Sequence, residues 1–213
     1  MKLYLSSYHL GNQPEKLKDL VGENARAAII LNAADTSDSD RRTSYVTSQV
    51  EALSSLGIQA EEIDLRDYFN NSQELAKKLS DYDLVWVVGG NSFVLLRAMK
   101  QSGFDKLIVP LVKNDEIIYA GFSAGAVVAT PSLHGIELVD DKDVVSEDYD
   151  KEIAWTGLHL VNKSIAPHYR SDHPESDAVD KVVEYFKENS MDYWTLSDGQ
   201  ALVVHDTTVT RIG

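Results

Sequence analysis

Cysteine is missing from all 213 residues, which excludes disulfides, thiolate metal sites and a cysteine nucleophile and is compatible with a reducing compartment. The cytoplasm is the expected location. No apolar run is long enough to span a bilayer, and Met1-Lys2-Leu3-Tyr4-Leu5-Ser6-Ser7 is too short an apolar stretch for a secretory signal. That segment reads as a first strand, and no membrane partner is expected. Positive charge is scarce, with 20 Lys and Arg against 34 Asp and Glu and a formal net charge of −14. The acids are spread along the chain, and the densest basic pair, Arg41-Arg42, is flanked by Asp38 and Asp40. A surface that tracks phosphates needs clustered cations, so nucleic acid is not an expected partner. The acidity reads as a solvated surface on which an anionic substrate would need a local cation. Internal repeats and low-complexity tracts are also absent.

The hydrophobic content of 43% suits one compact domain over residues 1–213. Short β-branched runs alternate with longer segments of helical period, the pattern of a mostly parallel sheet covered on both faces by helices. The expected strands are Lys2–Ser6, Ala27–Leu31, Ile58–Leu65, Leu84–Val88 and Ile117–Ala120, then Leu158–Ile165, Trp194–Leu196, Ala201–His205 and Thr208–Ile212. Helices are expected over Arg42–Leu56, Phe93–Gln101 and Ala178–Glu188, with apolar stripes that serve the core. Asp198-Gly199-Gln200 and Asp206-Thr207 are tight-turn sequences and suggest an antiparallel extension at the sheet edge. Pro131 to Trp155 reads as a solvated excursion, with a lid as the alternative.

Gly121-Phe122-Ser123-Ala124-Gly125 directly follows the apolar run Ile117-Ile118-Tyr119-Ala120. A G-x-S-x-G sequence at a strand end is a nucleophile elbow, in which a strained strand-to-helix turn pushes the serine hydroxyl outward. The following amide, of Ala124, is placed to face an oxyanion. A serine needs a base, and the base needs an acceptor that fixes its tautomer. Of the six histidines, His9, His134, His173 and His205 read as surface or turn residues and His159 as a core histidine. His168, after Ile165-Ala166-Pro167 at a strand end, would reach the sheet edge that carries Ser123. Asp198, between Leu196-Ser197 and Gly199, is the matching carboxylate, with an Asp-Gly turn as its plainer reading. Val88-Gly89-Gly90-Asn91-Ser92-Phe93 ends an apolar strand and opens a helix. Its amides form a nest in which Gly90 can supply a second oxyanion donor and Asn91 an N-cap. It is neither G-x-G-x-x-G nor a P-loop, so no nucleotide cofactor is expected.

Taken in order, Gly-Gly-Asn-Ser-Phe (89–93), Gly-Phe-Ser-Ala-Gly-Ala (121–126), Ala-Pro-His-Tyr (166–169) and Leu-Ser-Asp-Gly (196–199) resemble peptidase E, the aspartyl dipeptidase family related to cyanophycinase. The resemblance spans nearly the whole chain. It implies an α/β three-layer sandwich of the class I glutamine-amidotransferase-like, flavodoxin-like kind, no cofactor and no metal. It also implies a triad of Ser123 as nucleophile, His168 as base and acid, and Asp198 as orienting carboxylate, with Gly90 and Ala124 as oxyanion donors. The family's best-known members carry glutamate where Asp198 stands, and the arginine associated with recognising the substrate's aspartate has no clear equivalent. Arg170 is the nearest substitute, and Arg170 and Asn91 are the candidate substrate-binding residues. Small peptides are the expected partners, N-terminal aspartate the preference to test, and a homodimer an open state of assembly. A non-catalytic module of the same fold and an esterase or amidase are the competing readings.

Overall fold

Leu84–Val87 (β4) is buried at all four residues, as a strand covered on both faces must be. It lies at the centre of the five parallel strands of a seven-stranded sheet. The computed structural model describes residues 1–37 and 39–213, so Asp38 lies outside the described residues. The remaining strands are β1 (Lys2–Ser6), β2 (Arg26–Ile30), β3 (Gln59–Glu62), β5 (Ile118–Phe122), β6 (Ser164–Ala166), β7 (Tyr193–Thr195), β8 (Ala201–His205) and β9 (Thr208–Ile212). The main sheet runs β3-β2-β4-β5-β1-β8-β9. Its first five strands are parallel, and β8 and β9 add antiparallel at the β1 edge.

Alternate residues of each strand feed two separate cores. Tyr4, Ala27, Ile29, Leu84 and Trp86 face the core closed by Leu17 of α1 (Glu15–Val21) and Leu53 of α2 (Ser39–Ser54). Leu3, Leu5, Ala28, Ile30, Val85 and Val87 face the other core. That core is covered by α3 (Ser72–Leu79), α4 (Ser92–Ser102), α5 (Phe104–Lys113), α6 (Ala124–Val127) and α7 (Ser176–Glu188). The result is the expected three-layer α/β sandwich. Among the described residues no helix is long and apolar enough to cross a membrane.

Several local expectations are corrected. The span Leu158–Ile165 is a strand only from Ser164. Before it, Leu158, His159, Leu160 and Val161 donate their amides to the carbonyls of Val128, Ala129 and Thr130, wrapping the end of α6, and His159 is exposed. Ile58–Leu65 shortens to β3 and passes into a 3-10 turn at Leu65–Tyr68. Asp206-Thr207 does close the β8–β9 hairpin. Asp198-Gly199-Gln200 instead carries the chain between sheets, because β7 pairs in parallel with β6. Helices α1, α3 and α5 were not read from the sequence; α5 holds Pro110 internally, a residue that ordinarily argues against a helix.

The excursion from Pro131 to Trp155 is not a solvated loop. The buried Arg97 of α4 donates Nε to Glu152 O, Nη1 to Val144 O and Nη2 to Lys142 O, at 3.1, 3.2 and 2.7 Å. Leu133, Ile136, Tyr149 and Ala154 of the same segment are buried. A guanidinium in a fixed fork satisfies three carbonyls at once, which no compact ammonium could do.

Candidate active site

The elbow follows from close packing of backbone. A Cβ on Gly125 would lie 2.1 Å from the Val87 carbonyl oxygen, and one on Gly121 would lie 2.7 Å from the same atom. Both glycines of the motif are therefore demanded by the end of β4, against which β5 and α6 turn. Between them Ser123 sits at φ 48°, ψ −117°, a backbone region costly for a residue with a side chain and typical of functional turns. Buried Tyr119 braces the turn by donating its hydroxyl to Gly125 O at 2.7 Å. The Ser123 amide donates to the carbonyls of Ser6 and Ser7 at 3.2 and 3.1 Å, tying the elbow to the end of β1.

His168 follows β6 at φ 59° and is 1% exposed. Its Nε2 is 3.1 Å from Ser123 Oγ and its Nδ1 is 2.7 Å from Asp198 Oδ1. An ionised carboxylate accepts only, so Nδ1 carries the proton and Nε2 is left to accept from the serine hydroxyl. Burial lowers the His168 pKa below the ordinary imidazole value, against the opposing pull of Asp198. The ring is thus neutral and able to accept a proton near pH 7.

Two residues that sequence reasoning passed over complete this arrangement. Fully buried Ser7, just beyond β1, accepts from the His168 backbone amide at 2.8 Å and donates Oγ–H to Asp198 Oδ1 at 2.8 Å. His173, read as a surface residue, lies stacked on the His168 ring with centroids 3.7 Å apart and planes 10° from parallel. Its Nδ1 accepts the Glu175 amide at 3.3 Å. No sequence signal marks Ser7 beyond its place at the end of a strand whose neighbour is β5, and strand order cannot be read from the chain. The Asp198 amide donates to Ser171 Oγ at 2.8 Å, which fixes the turn that presents the carboxylate.

Gly90 lines the same cleft as Ser123, Ala124 follows Ser123 at the start of α6, and neither amide has a hydrogen-bond partner among the described residues. Gly90 has φ 142°, and a Cβ there would meet Ala33 O at 2.5 Å, so the nest requires glycine. Asn91 is an N-cap: its Oδ1 accepts from the amides of Phe93 and Val94 at 2.9 and 3.0 Å, and its Nδ2 donates to Asp141 O. Its side chain is occupied at both ends, although the residue lines the cleft.

That cleft, of about 440 Å³, is lined by Ser123, His168, His173, Glu175, Tyr8, Tyr45, Arg41 and Arg42, among others. Arg170 is not among its lining residues. The Arg170 guanidinium lies 5.0 Å from the Tyr169 ring centroid. The arginines that line the cleft, Arg41 and Arg42, are on α2 instead. Arg42 is held by Asp35, Glu62 and Asp64 at 2.8, 2.6 and 3.2 Å, so its charge braces the loop after β2, where Tyr149 also donates to Asp35. Donor atoms of His168, His173 and Glu175 lie within 4.8 Å of one another. A cation there would take the same imidazole that faces Ser123.

The chemistry open to this arrangement is acyl transfer: an activated hydroxyl on a strained turn, a neutral imidazole oriented by a carboxylate, and unengaged amides beside them. Comparison with known proteins points the same way. A family model described as Peptidase family S51 matches residues 5–212. The chain is similar to an uncharacterised peptidase of Listeria monocytogenes, 34% identical over 169 residues covering 78% of this chain and 77% of the relative. It is also similar to a peptidase E of Streptomyces coelicolor, 32% identical over 147 residues covering 67% and 56%. Among solved structures, a Listeria monocytogenes protein described as a peptidase E superposes with a TM-score of 0.81 at 27% identity, covering 99% of this chain and 97% of that one.

Proposed function

The chain belongs to peptidase family S51 and is a serine-type peptidase, and we propose that it cleaves small peptides, dipeptides foremost, through a triad of Ser123, His168 and Asp198 within one domain spanning residues 1–213. The observation that carries this reading is the unbroken relay from Ser123 Oγ through both nitrogens of His168 to Asp198 Oδ1, at 3.1 and 2.7 Å.

In the forward step the Ser123 oxygen attacks the scissile carbonyl carbon while its proton passes to His168 Nε2. The carbonyl oxygen becomes an oxyanion and is met by the amides of Gly90 and Ala124, which need no reorganisation to receive it. Collapse breaks the C–N bond, and His168 returns the proton to the leaving amine. Water then attacks the acyl-enzyme, giving its proton to His168, and release of the acid restores the Ser123 hydroxyl. Asp198 keeps the ring in the Nδ1–H form throughout and balances the imidazolium while it exists.

The leaving amine must depart within reach of His168, so the leaving residue lies in the 440 Å³ cleft. A cleft of that volume accommodates a small ligand, which favours short substrates. The test is covalent labelling by a fluorophosphonate together with dipeptide hydrolysis, for wild type and Ser123→Ala. Labelling and turnover that both vanish in the variant support the assignment. A folded wild type that neither labels nor hydrolyses any dipeptide rejects it in favour of a non-catalytic module, and turnover confined to acyl esters points to an esterase.

A further inference from the structure

The end of β1 touches every member of the proposed triad. The carbonyls of Ser6 and Ser7 accept the Ser123 amide, and Ser7 Oγ meets both the His168 amide and Asp198 Oδ1. The next residue, Tyr8, lies against the His168 ring with centroids 5.8 Å apart and planes at 70°. It makes the same contact with His173, at 5.6 Å and 65°. The two imidazoles are themselves nearly parallel, with centroids 3.7 Å apart. A tyrosine capping the free face of His168 would be nearer to that ring than to His173 by about the stacking distance. Near-equal distances place Tyr8 beside the stack instead, spanning the edges of both rings.

Tyr8 is itself held in place. The Ser7 amide donates to Gln200 O at 2.9 Å and the Gly11 amide donates to Tyr8 O at 3.1 Å, which fixes the backbone around it. The His9 ring packs on the tyrosine with centroids 4.0 Å apart, and lies 5.1 Å from the ring of Phe122, the residue before the nucleophile. The contacts that Tyr8 makes with the stack are ring contacts, so they do not call on its hydroxyl. The residue is 43% exposed, and little of the core depends on it.

Hydrogen bonds tolerate bending, so those at Nδ1 and Nε2 leave the tilt of the His168 ring loosely defined. Once Ser123 is acylated its hydroxyl proton is gone, and Asp198 is left as the hydrogen-bonding anchor of the ring while water is activated. Aromatic rings packed against one face and one edge supply the missing restraint. We propose that Tyr8 is a positioning residue, whose ring keeps His173 stacked on His168 and so keeps the imidazole aimed at Ser123. The inference rests on the reading of Ser123 as the nucleophile. Tyr8 also lines the main cleft, which makes contact with substrate the rival role. The two roles differ kinetically: loss of a positioning group lowers kcat and slows Ser123 toward any electrophile, whereas loss of a uniform binding contact raises KM.

Tyr8→Ala and Tyr8→Phe are compared with wild type in two measurements, with thermal melts as the control for folding. One is the rate of covalent labelling by a fluorophosphonate that carries no peptide portion, and the other is steady-state hydrolysis of any cleaved dipeptide. Tyr8→Ala should label and turn over about five- to tenfold more slowly with KM unchanged, and Tyr8→Phe should stay within about twofold of wild type. In a His173→Ala background the Tyr8→Ala loss should shrink to about twofold or less, because the two residues act through one stack. An unchanged labelling rate in Tyr8→Ala, a rise in KM alone, an equal loss in Tyr8→Phe, or full additivity with His173→Ala overturns this inference and leaves the nucleophile reading standing. Failure of the fluorophosphonate to label folded wild type overturns both.

Discussion

The hydroxyl of Ser7 donates to Asp198 Oδ1 at 2.8 Å, the same oxygen that faces His168 Nδ1 at 2.7 Å. It also accepts from the His168 backbone amide. One small side chain at the end of the first strand therefore sets the distance between two residues that lie far later in the chain.

Replacing Ser7 with alanine should leave the fold intact and lower kcat roughly 10- to 100-fold with little change in KM. A hydrogen bond to a charged group is worth about 1.5–3 kcal/mol, and its loss lets both His168 and the carboxylate drift. Steady-state kinetics on any cleaved dipeptide, with a thermal melt as control, measure this. Unchanged kcat would show that Ser171 and the 197–200 turn suffice to hold Asp198.

Asp198→Asn should fold normally and lose about 10⁴-fold in kcat, because an amide nitrogen facing Nδ1 favours the wrong tautomer of the ring. Near wild-type turnover would remove Asp198 from the triad. The measurement is informative because the carboxylate here is one methylene shorter than the glutamate associated with the resembled family.

His173 bears on the pH profile. The groups facing His168 are Asp198 and Glu175, which favour the imidazolium, and His173, which with burial disfavours it; burial is the largest effect and the net direction is downward. Activity should therefore rise with pH through a midpoint below the ordinary value of about 6.5. His173→Ala removes the like charge and opens one ring face to water, so the midpoint should move up, a shift read from kcat/KM against pH. The same lowered pKa means that the folded state binds fewer protons than the unfolded chain, so this group reduces stability as pH falls below about 6.5.

Arg97 anchors the 142–152 segment to α4. Arg97→Ala leaves three carbonyls without their donor and should cost about 3 kcal/mol or more, with faster proteolytic cleavage between residues 141 and 152. Arg97→Lys should rescue only part of this, since an ammonium cannot match the planar fork. A melt and a limited-proteolysis time course decide it.

Much was legible in the chain itself. The alternation of apolar runs with helical stripes gave the layered α/β architecture, because burial on two faces leaves a periodic trace in any sequence. Gly121, Ser123 and Gly125 announced the elbow, since contact with the Val87 carbonyl tolerates no side chain at either glycine. His168 and Asp198 stood out because a strand end is where a parallel sheet presents its chemistry. Other features left no trace. The Arg97 contacts to residues 142–152 are long-range and involve only backbone carbonyls, which every residue possesses. The stack of His173 on His168 depends on a turn conformation that its neighbours do not specify.

Residue order alone determined which groups this protein possesses and the alternation of strands and helices that layers it, since periodicity and turn chemistry act over a few residues. Tertiary structure alone decided that β1 lies beside β5, bringing Ser7 and Tyr8 to the imidazole. Such neighbours are chosen by packing over the whole sheet, in which the separation of two residues along the chain says little about their distance in space.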